Sequence, residues 1–593
     1  MKFRAQSRRL APPSAHATLI DTLDARVLFA SPSPVISSLD STITAGQAVF
    51  VNALKTTVGA GTVDTARFAW NFGDSTGSYN TLVGFNAGHV YSKAGTYKVT
   101  LTVTNQDNVS KSVTSTVTVA AAARKAIYVS AAGSDSNDGS SSSKAVKTVA
   151  KAASLVKGKS NVDIFFRSGD TFASTATLEI VGENVRLTSY GTGNKPVIRW
   201  DGTRDQAEIL RTTATANGAI VENITIDSKY KGPESSRAGM PAAIMDRGTA
   251  TVVRGVTFLN IGYGLQTNSG PTGLLVQNCD SPTLYGLRSY LVWAQGTDFV
   301  ILGNKVLNST NEHPIRVYGV DRMLMAYNDV ANPQAYSWET SKMALNIQKG
   351  NYVYVYDNTI RGPRVQIGPL GGADGTGDKA ARLNHIVLEN NTLYDTRLEI
   401  VHGANDITIR NNVFKFKDDN AMEVDGYNTE YARGVNRLNV ANNTFINTGT
   451  KGRVISVEGA VGGISLVNNL YQADNMYVGT YGTAAVFVND TSLKSFTKIT
   501  NNIWPVPNVS TWVKSNVKGG TPFAIVGKNI NDLTTYYTLT RWNALSQVGT
   551  DAQADVTVNT TTWAPTNNTT LIQAGVKDVD GIYTDFDEEA RAS

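Results

Sequence analysis

The sequence predicts an all-β protein whose larger part is a solenoid of stacked coils. Three observations lead there: a turn motif that keeps returning, alternating apolar residues ahead of its copies, and a composition rich in turn formers and poor in charge. The motif is Asn-Asn before a small or apolar residue, at Asn390-Asn391, Asn411-Asn412, Asn442-Asn443, Asn468-Asn469 and Asn501-Asn502, with single-Asn copies at Asn223, Asn278, Asn304, Asn328 and Asn358. Aligned on that Asn, with Gly255 filling one place, the copies lie 32, 23, 26, 24, 30, 33, 21, 31, 26 and 33 residues apart. A period in the twenties with variable insertions marks a solenoid whose repeats are single coils and whose insertions are loops. Runs such as Ile407-Thr-Ile-Arg and Leu438-Asn-Val-Ala make the coil one of short strands. Asn suits the turn between strands because it tolerates the left-handed region, and its amide can bond to the copies above and below.

Charged residues are 17% of the chain and glycines number 52, in keeping with a turn-rich all-β protein. The net charge of +5 is small for 593 residues, and no Lys/Arg-rich run is present, which speaks against nucleic-acid binding. No apolar run approaches the roughly 20 residues that span a bilayer. The single Cys279 excludes an internal disulfide and, beside a repeat Asn, reads as a buried structural thiol. Five His residues lie scattered without zinc-ligand spacing.

Residues 1–31 form a leader segment without the apolar stretch of an ordinary secretory signal. Leu23, Arg26 and Leu28 within it resemble the Leu-Glu-Pro-Arg-x-Leu-Leu element of exported planctomycete-like proteins, with Asp24 and Ala25 in place of Glu and Pro. The resemblance implies export, to the medium or the cell surface. Residues 32–120 are a separate unit. Trp70, Phe72, Gly73, Asp74, Tyr91, Gly95, Thr96, Tyr97 and Val99 resemble the PKD family of immunoglobulin-like sandwiches. Alternation of Tyr97, Val99, Leu101 and Val103 with Lys98, Thr100 and Thr102 agrees, since it gives a strand with one buried face. The resemblance implies a spacer, or a module touching a cell-envelope glycan or protein. Ala120–Ala123 reads as a linker.

From Ile127-Tyr-Val-Ser through Lys147-Thr-Val-Ala-Lys-Ala-Ala-Ser-Leu-Val to Asp163-Ile-Phe-Phe, the chain is similar to the opening of pectate-lyase-like right-handed parallel β-helix proteins. A first strand, a Gly/Asp/Asn turn and a short amphipathic capping helix are implied, the helix closing an end that would otherwise pair with other strands. Asp135, Asn137 and Asp138 lack the Glu that closes an EF-hand, so a turn is expected there rather than a calcium loop. The β-helix is placed at 126–510, and 511–593 as a closing segment.

Chemistry is expected on a second strand of each coil, often ending in Gly: Ile315-Arg-Val-Tyr-Gly, Leu345-Asn-Ile-Gln-Lys-Gly, Arg364-Val-Gln-Ile-Gly, Glu399-Ile-Val-His-Gly, Met422-Glu-Val-Asp-Gly and Ile455-Ser-Val-Glu-Gly. Alternation sends Ile315/Val317, Met422/Val424 and Ile455/Val457 inward, and Arg316/Tyr318, Glu423/Asp425 and Ser456/Glu458 outward. The third and fourth strands break this register by one, and the second carries an extra residue, so a bulge is expected. The outward column then runs Tyr318, Lys349, a position near Arg364 or Gln366, His402, Asp425 and Glu458. A row of like carboxylates at a spacing of about 4.8 Å is costly without compensation. Glu312, His313, Arg316, Lys342 and Asn346 stand at the starts of two neighbouring outward strands. Insertions at 332–343, 362–384 and 415–421 would flank the face, with Tyr336, Trp338, Tyr427 and Tyr431 available to stack on sugar rings.

In β-helix families this face is commonly a polysaccharide groove, and two chemistries fit. A lyase needs a base and a group that neutralises a uronate carboxylate, which Arg316, Lys342, Lys349, Arg364 and His402 can supply. A hydrolase needs two carboxyls, which Glu423, Asp425 and Glu458 can supply. Neither the polygalacturonase signature (Asn-Thr-Asp, Asp-Asp, Gly-His-Gly, Arg-Ile-Lys) nor the Glu-Ile-Ile-x-x-Lys pattern of alginate and chondroitin lyases is present. The expectation is cleavage of an acidic polysaccharide by β-elimination, with hydrolysis or a non-catalytic adhesin as alternatives. Calcium is the one candidate cofactor, bridging the acidic half to a polyanion.

Overall fold

A computed structural model describes residues 30–38, 40–202, 208–230, 242–267, 270–286, 288–332, 343–368, 383–401, 403–417, 420–426, 434–449, 455–459, 461–473, 477–478, 486–489, 496–504, 508–509, 524–529, 532–537 and 552–553. The fold is all-β, a sandwich followed by a right-handed parallel β-helix. Each coil runs through three parallel sheets in turn. Sheet 1 holds, among others, Ile315–Tyr318, Arg364–Ile367, Arg397–Val401, Met422–Gly426 and Ile455–Gly459. Sheet 2 includes Leu383–Glu389, Ala404–Arg410 and Val435–Ala441, and sheet 3 is a stack of fourteen short strands such as Thr392–Tyr394 and Thr444–Asn447. In three coils one long strand bends from sheet 1 into sheet 2 (Tyr290–Leu302, Ile315–Ala326 and Leu345–Tyr356), with register shifts near Gly296 and Gly319. The parallel pairings continue beyond residue 510, through Ala524–Asn529 in sheet 1 and Ala552–Gln553 in sheet 3.

The Asn turn joins sheet 2 to sheet 3, and its two positions do different work. The first residue takes a left-handed backbone, φ 57° at Asn390 and 56° at Asn411, which Asn adopts at low cost. The second is buried and forms a ladder in which each Nδ2 donates to the Oδ1 one coil on: Asn304 to Asn328 (2.9 Å), Asn328 to Asn358 (2.8 Å), Asn358 to Asn391 (2.9 Å), Asn391 to Asn412 (2.9 Å), and onward to Asn502. Asn223, Gly255 and Asn278 belong to the left-handed position, not the ladder, so the sequence alignment that placed them with Asn304 and its successors is one residue out there. Cys279 takes the ladder position of its coil and is buried, which pushes its thiol pKa up to about 12.

The helix Val149–Val156 closes the N-terminal end, burying Val149, Ala152 and Val156, with Thr148 accepting from the Lys151 amide at 3.1 Å as its cap. The Asp135 carboxylate accepts from the Lys147 and Thr148 amides, and Asp138 from Ser140, so both acidic groups hold turns. Inside sheet 3, Phe414, Phe445, Tyr471 and Trp504 form a continuous stack with ring centroids 4.7, 4.8 and 4.1 Å apart.

The sandwich packs a three-stranded sheet (Ser37–Ser38, Ala48–Asn52, Asn86–Val90) against a five-stranded one. Buried Trp70 donates to the Gly84 carbonyl at 2.9 Å, and Tyr91 to that of Phe72 at 2.8 Å. The module is docked rather than strung out as a spacer. Its core is continuous with eleven residues on the outer face of sheet 2, among them Val252, Leu275, Val300, Leu324, Tyr354 and Val387. A large apolar interface of this kind removes the independent motion expected of tethered domains. Polar groups lock it: Arg410, fully buried, donates to Glu389 (2.8 Å), Tyr354 (2.7 Å) and the Thr65 carbonyl (3.1 Å), while His385 meets Asp64 at 3.0 Å and stacks on Tyr352.

Candidate functional site

Sheet 1 turns its other side chains outward, away from the coil interior. Inward residues are apolar and buried (Val292, Ile315, Leu345, Val365, Leu398, Met422, Ile455), so the residue after each must point out. Strand pairing puts those outward residues in one column over consecutive coils: Trp293, Arg316, Asn346, Gln366, Glu399, Glu423 and Ser456. Two residues further along each strand a second column includes Tyr318 beside Lys349, and Val401 beside Asp425 beside Glu458. Gln348 is the bulged extra residue expected in the second strand.

The central column is held by hydrogen bonds. Asn346 Nδ2 donates to Gln366 Oε1 at 3.0 Å, and Gln366 Nε2 to Glu399 Oε2 at 3.4 Å. Arg364 approaches Glu399 at 3.2 Å, and Arg397 bridges Glu399 and Glu423, reaching the latter at 3.3 Å. Arg316 sits differently. Its guanidinium donates to Gln348 Oε1 (3.2 Å) and the Tyr290 hydroxyl (3.1 Å), and lies over the Tyr318 ring at 5.3 Å, with Lys349 Nζ 5.0 Å from the same ring. Trp293 lies 5.8 Å from Tyr318, and Tyr290 is stacked with Tyr263 at 5.5 Å. Burial is the largest influence on the Tyr290 hydroxyl and raises its pKa well above the ordinary value.

The structure therefore brings Arg316, Tyr318, Asn346, Lys349, Glu423, Asp425 and Glu458 onto one face in two adjoining columns, with Arg364 beside Arg397 two residues ahead of the central one. Asn346 is fully buried within it. His313 is buried too, and its Nδ1 accepts from the Met343 amide at 3.0 Å while Nε2 faces Glu312 at 3.5 Å. His313 thereby ties two strand starts together. Val401, not His402, is the residue paired with Asp425. The sequence reading aligned strands on their terminal glycines, but Leu398 and Ile400 face inward and shift that strand by one. His402 itself, Lys342, Tyr336, Trp338, Tyr427 and Tyr431 lie outside the described residues. Trp293, Glu399 and Arg397 were missed by sequence reasoning, although the alternation of Leu398 and Ile400 with Arg397 and Glu399 carried the signal. Among the described residues no three His, Cys, Asp or Glu side chains are grouped to hold a metal ion. None of their helices is long and apolar enough to cross a membrane.

Comparison with known proteins bears on the two units separately. Residues 30–121 match the model of the PKD domain, and residues 289–471 that of the right-handed beta helix region. No curated protein sequence matches the chain. Among solved structures, a family 28 exopolygalacturonase of Yersinia enterocolitica is similar at 11% identity and a TM-score of 0.38, over 85% of this chain and 100% of its own. The surface adhesin PfbA of Streptococcus pneumoniae is similar at 10% identity and a TM-score of 0.36, over 58% of this chain and 83% of its own. The tailspike protein of E. coli bacteriophage HK620, solved with a pentasaccharide, gives 11% and 0.38, over 62% and 70%. No site residue is carried over from likenesses this distant. The protein joins a PKD domain to a right-handed parallel β-helix.

Proposed function

We propose that the outward face of sheet 1 binds an extracellular polysaccharide and cleaves it, by β-elimination on an acidic glycan. The observation that carries this is the unbroken column from Trp293 to Ser456, because a polar row that repeats coil after coil matches a linear polymer better than a compact ligand. In β-elimination a base takes the proton on the carbon beside the uronate carboxylate. The electron pair forms the new C=C bond, and the glycosidic C–O bond breaks with its electrons leaving on oxygen, which then gains a proton. Arg316 is suited to neutralise the carboxylate and the enolate charge that develops on it. Lys349, one coil on, is the nearby basic side chain among the described residues, with Lys342 and His402 the further candidates. Export to the medium or cell surface is part of the proposal.

One observation favours hydrolysis as the second reading: Asp425 and Glu458 are register neighbours on adjacent strands, and paired carboxyls are what a glycoside hydrolase requires. Incubation with acidic and neutral polysaccharides, with and without a chelator, separates the readings. Unsaturated products establish a lyase, and new reducing ends without unsaturation move the chemistry to Glu423, Asp425 and Glu458. Binding without product over the whole panel refutes cleavage and leaves a glycan-binding surface protein.

A further inference from the structure

Resting on that reading, we infer that Trp293, Arg316, Tyr318 and Asn346 form a subsite for one anionic pyranose unit and set the charge specificity of the groove. Three adjacent positions of the central column are incomplete in complementary ways. Trp293 Nε1 is a buried donor with no hydrogen-bond partner among the described residues. Asn346, fully buried, spends its Nδ2 on Gln366 and leaves Oδ1 without a partner. Between them Arg316 has only neutral partners, Gln348 and Tyr290, and no carboxylate within ion-pair distance among the described residues. A buried polar atom without a partner is unfavourable, so one on each side of a guanidinium that has only neutral partners points to a ligand.

The missing groups define it. Arg316 requires an anion, Trp293 Nε1 an acceptor beside that anion, and Asn346 Oδ1 a hydroxyl donor one coil further, about 4.8 Å along the stack. The partly exposed rings of Trp293 and Tyr318, 5.8 Å apart, offer the flat apolar surface that the C–H face of a sugar covers. A pyranose with an anionic substituent and free ring hydroxyls carries all of these at once. The rest of the column does not repeat the arrangement, since Glu399 and Glu423 are already bound by Arg364 and Arg397. One anionic unit is therefore recognised here.

The test is calorimetric titration of the full-length protein with oligosaccharides of galacturonate, glucuronate and mannuronate, with their carboxyl-reduced counterparts, and with a sulfated neutral oligosaccharide. At least one anionic probe should bind roughly tenfold or more tighter than its neutral counterpart, as a charge-assisted hydrogen bond requires. The uronate and sulfated arms identify the anionic group. Arg316→Gln should abolish the preference, and Arg316→Lys should retain part of it. Equal affinity for charged and reduced probes, a preference that survives Arg316→Gln in a protein of unaltered melting temperature, or no binding by any probe would overturn the subsite. Cleavage confined to neutral glycans would overturn it while leaving polysaccharide cleavage standing, and tight anionic binding without product would do the reverse.

Discussion

Replacing Glu389 by Ala is expected to destabilise docking of the PKD domain more than any surface change. The Glu389 carboxylate lies at the heart of the interface, 2.8 Å from Arg410, 3.6 Å from Arg67 and hydrogen-bonded to the Tyr354 hydroxyl, and it is almost fully buried. Burial alone would raise its pKa, but Arg410 and Arg67 outweigh burial and hold it below the ordinary carboxylate range. Glu389→Ala leaves the Arg410 guanidinium charged, with no exposed surface and without the carboxylate it pairs with at 2.8 Å. Removing one member of a buried pair costs about 3–5 kcal/mol, mostly because the partner's charge is stranded. The double variant Glu389→Ala, Arg410→Met removes both charges and should recover much of that loss, since well-packed apolar replacements of buried pairs are often neutral.

The event to follow is undocking rather than global unfolding, so the assay is native-state hydrogen exchange in Ala48–Asn52 and Asn86–Val90, which contact sheet 2, together with proteolysis at the Ala120–Ala123 linker. Protection in those strands should fall by roughly two to three and a half orders of magnitude in Glu389→Ala, following from about 3–5 kcal/mol at 1.4 kcal/mol per tenfold. A loss under about 0.5 kcal/mol, the range of ordinary surface substitutions, would refute the claim that this network locks the two units together.

Asp329→Ala is a control, because the side chains of the Arg361–Asp329 pair are 45% and 36% exposed; a change within about 0.5 kcal/mol is expected in the same exchange experiment. In the Asn ladder, Asn391→Ala removes the acceptor of the Asn358 amide and side chain and should lower stability by about 1–3 kcal/mol in denaturant titration, whereas Asn390→Gly, at φ 57°, should change it little. The interface should also respond to pH through His385. Burial lowers its pKa, but the Asp64 hydrogen bond and charge outweigh this and the net shift is upward. A raised folded-state pKa gives stabilisation that is complete below the unfolded value of about 6.5 and lost as pH rises through the folded value. Exchange protection of the docked strands should therefore fall on the alkaline side in the wild type, and His385→Gln should flatten that slope.

The coil, its Asn turn and the inward alternation were legible because each repeats, so that errors in one copy are corrected by the others. The offset of Asn223 and Asn278 was not, since one Asn serves either turn position and only the backbone separates a φ of 55° from a ladder place. Register failed where a strand was anchored on its Gly: Gly368 and Gly403 lie at different distances from the last inward side chain, and that moved His402 into the place Val401 holds. The docking of the sandwich also left a signal. Val353-Tyr-Val-Tyr356 and Phe299-Val-Ile-Leu302 are apolar at every position, and a strand that does not alternate is buried on both faces. The outer set of these runs (Val300, Leu302, Tyr354, Tyr356) is what the PKD domain covers.

Charge pairing on the remaining faces points to where function resides. On the outside of sheet 3, Asp280 meets Lys195 at 3.7 Å and Asp329 pairs with Arg361, all of them well exposed, so the face is charge-compensated and solvated. The N-terminal coils of sheet 1 are similar, with Arg211 between Glu179 and Glu208, and Arg247 on Glu208. Sheet 2 is occupied by the sandwich over much of its length. From Trp293 on the pattern changes: Arg316 has neutral partners, Glu399 and Glu423 are held by Arg364 and Arg397, and Asp425 and Glu458 lie in register on adjacent strands. Like charges in register are unfavourable in a purely structural sheet. On the proposed reading a ligand with its own charge and hydroxyls completes the positions around Arg316, so Arg316, half-buried and without an ion-pair partner among the described residues, is where a substitution should alter glycan recognition with less effect on stability than one at buried Asn346 or Glu399.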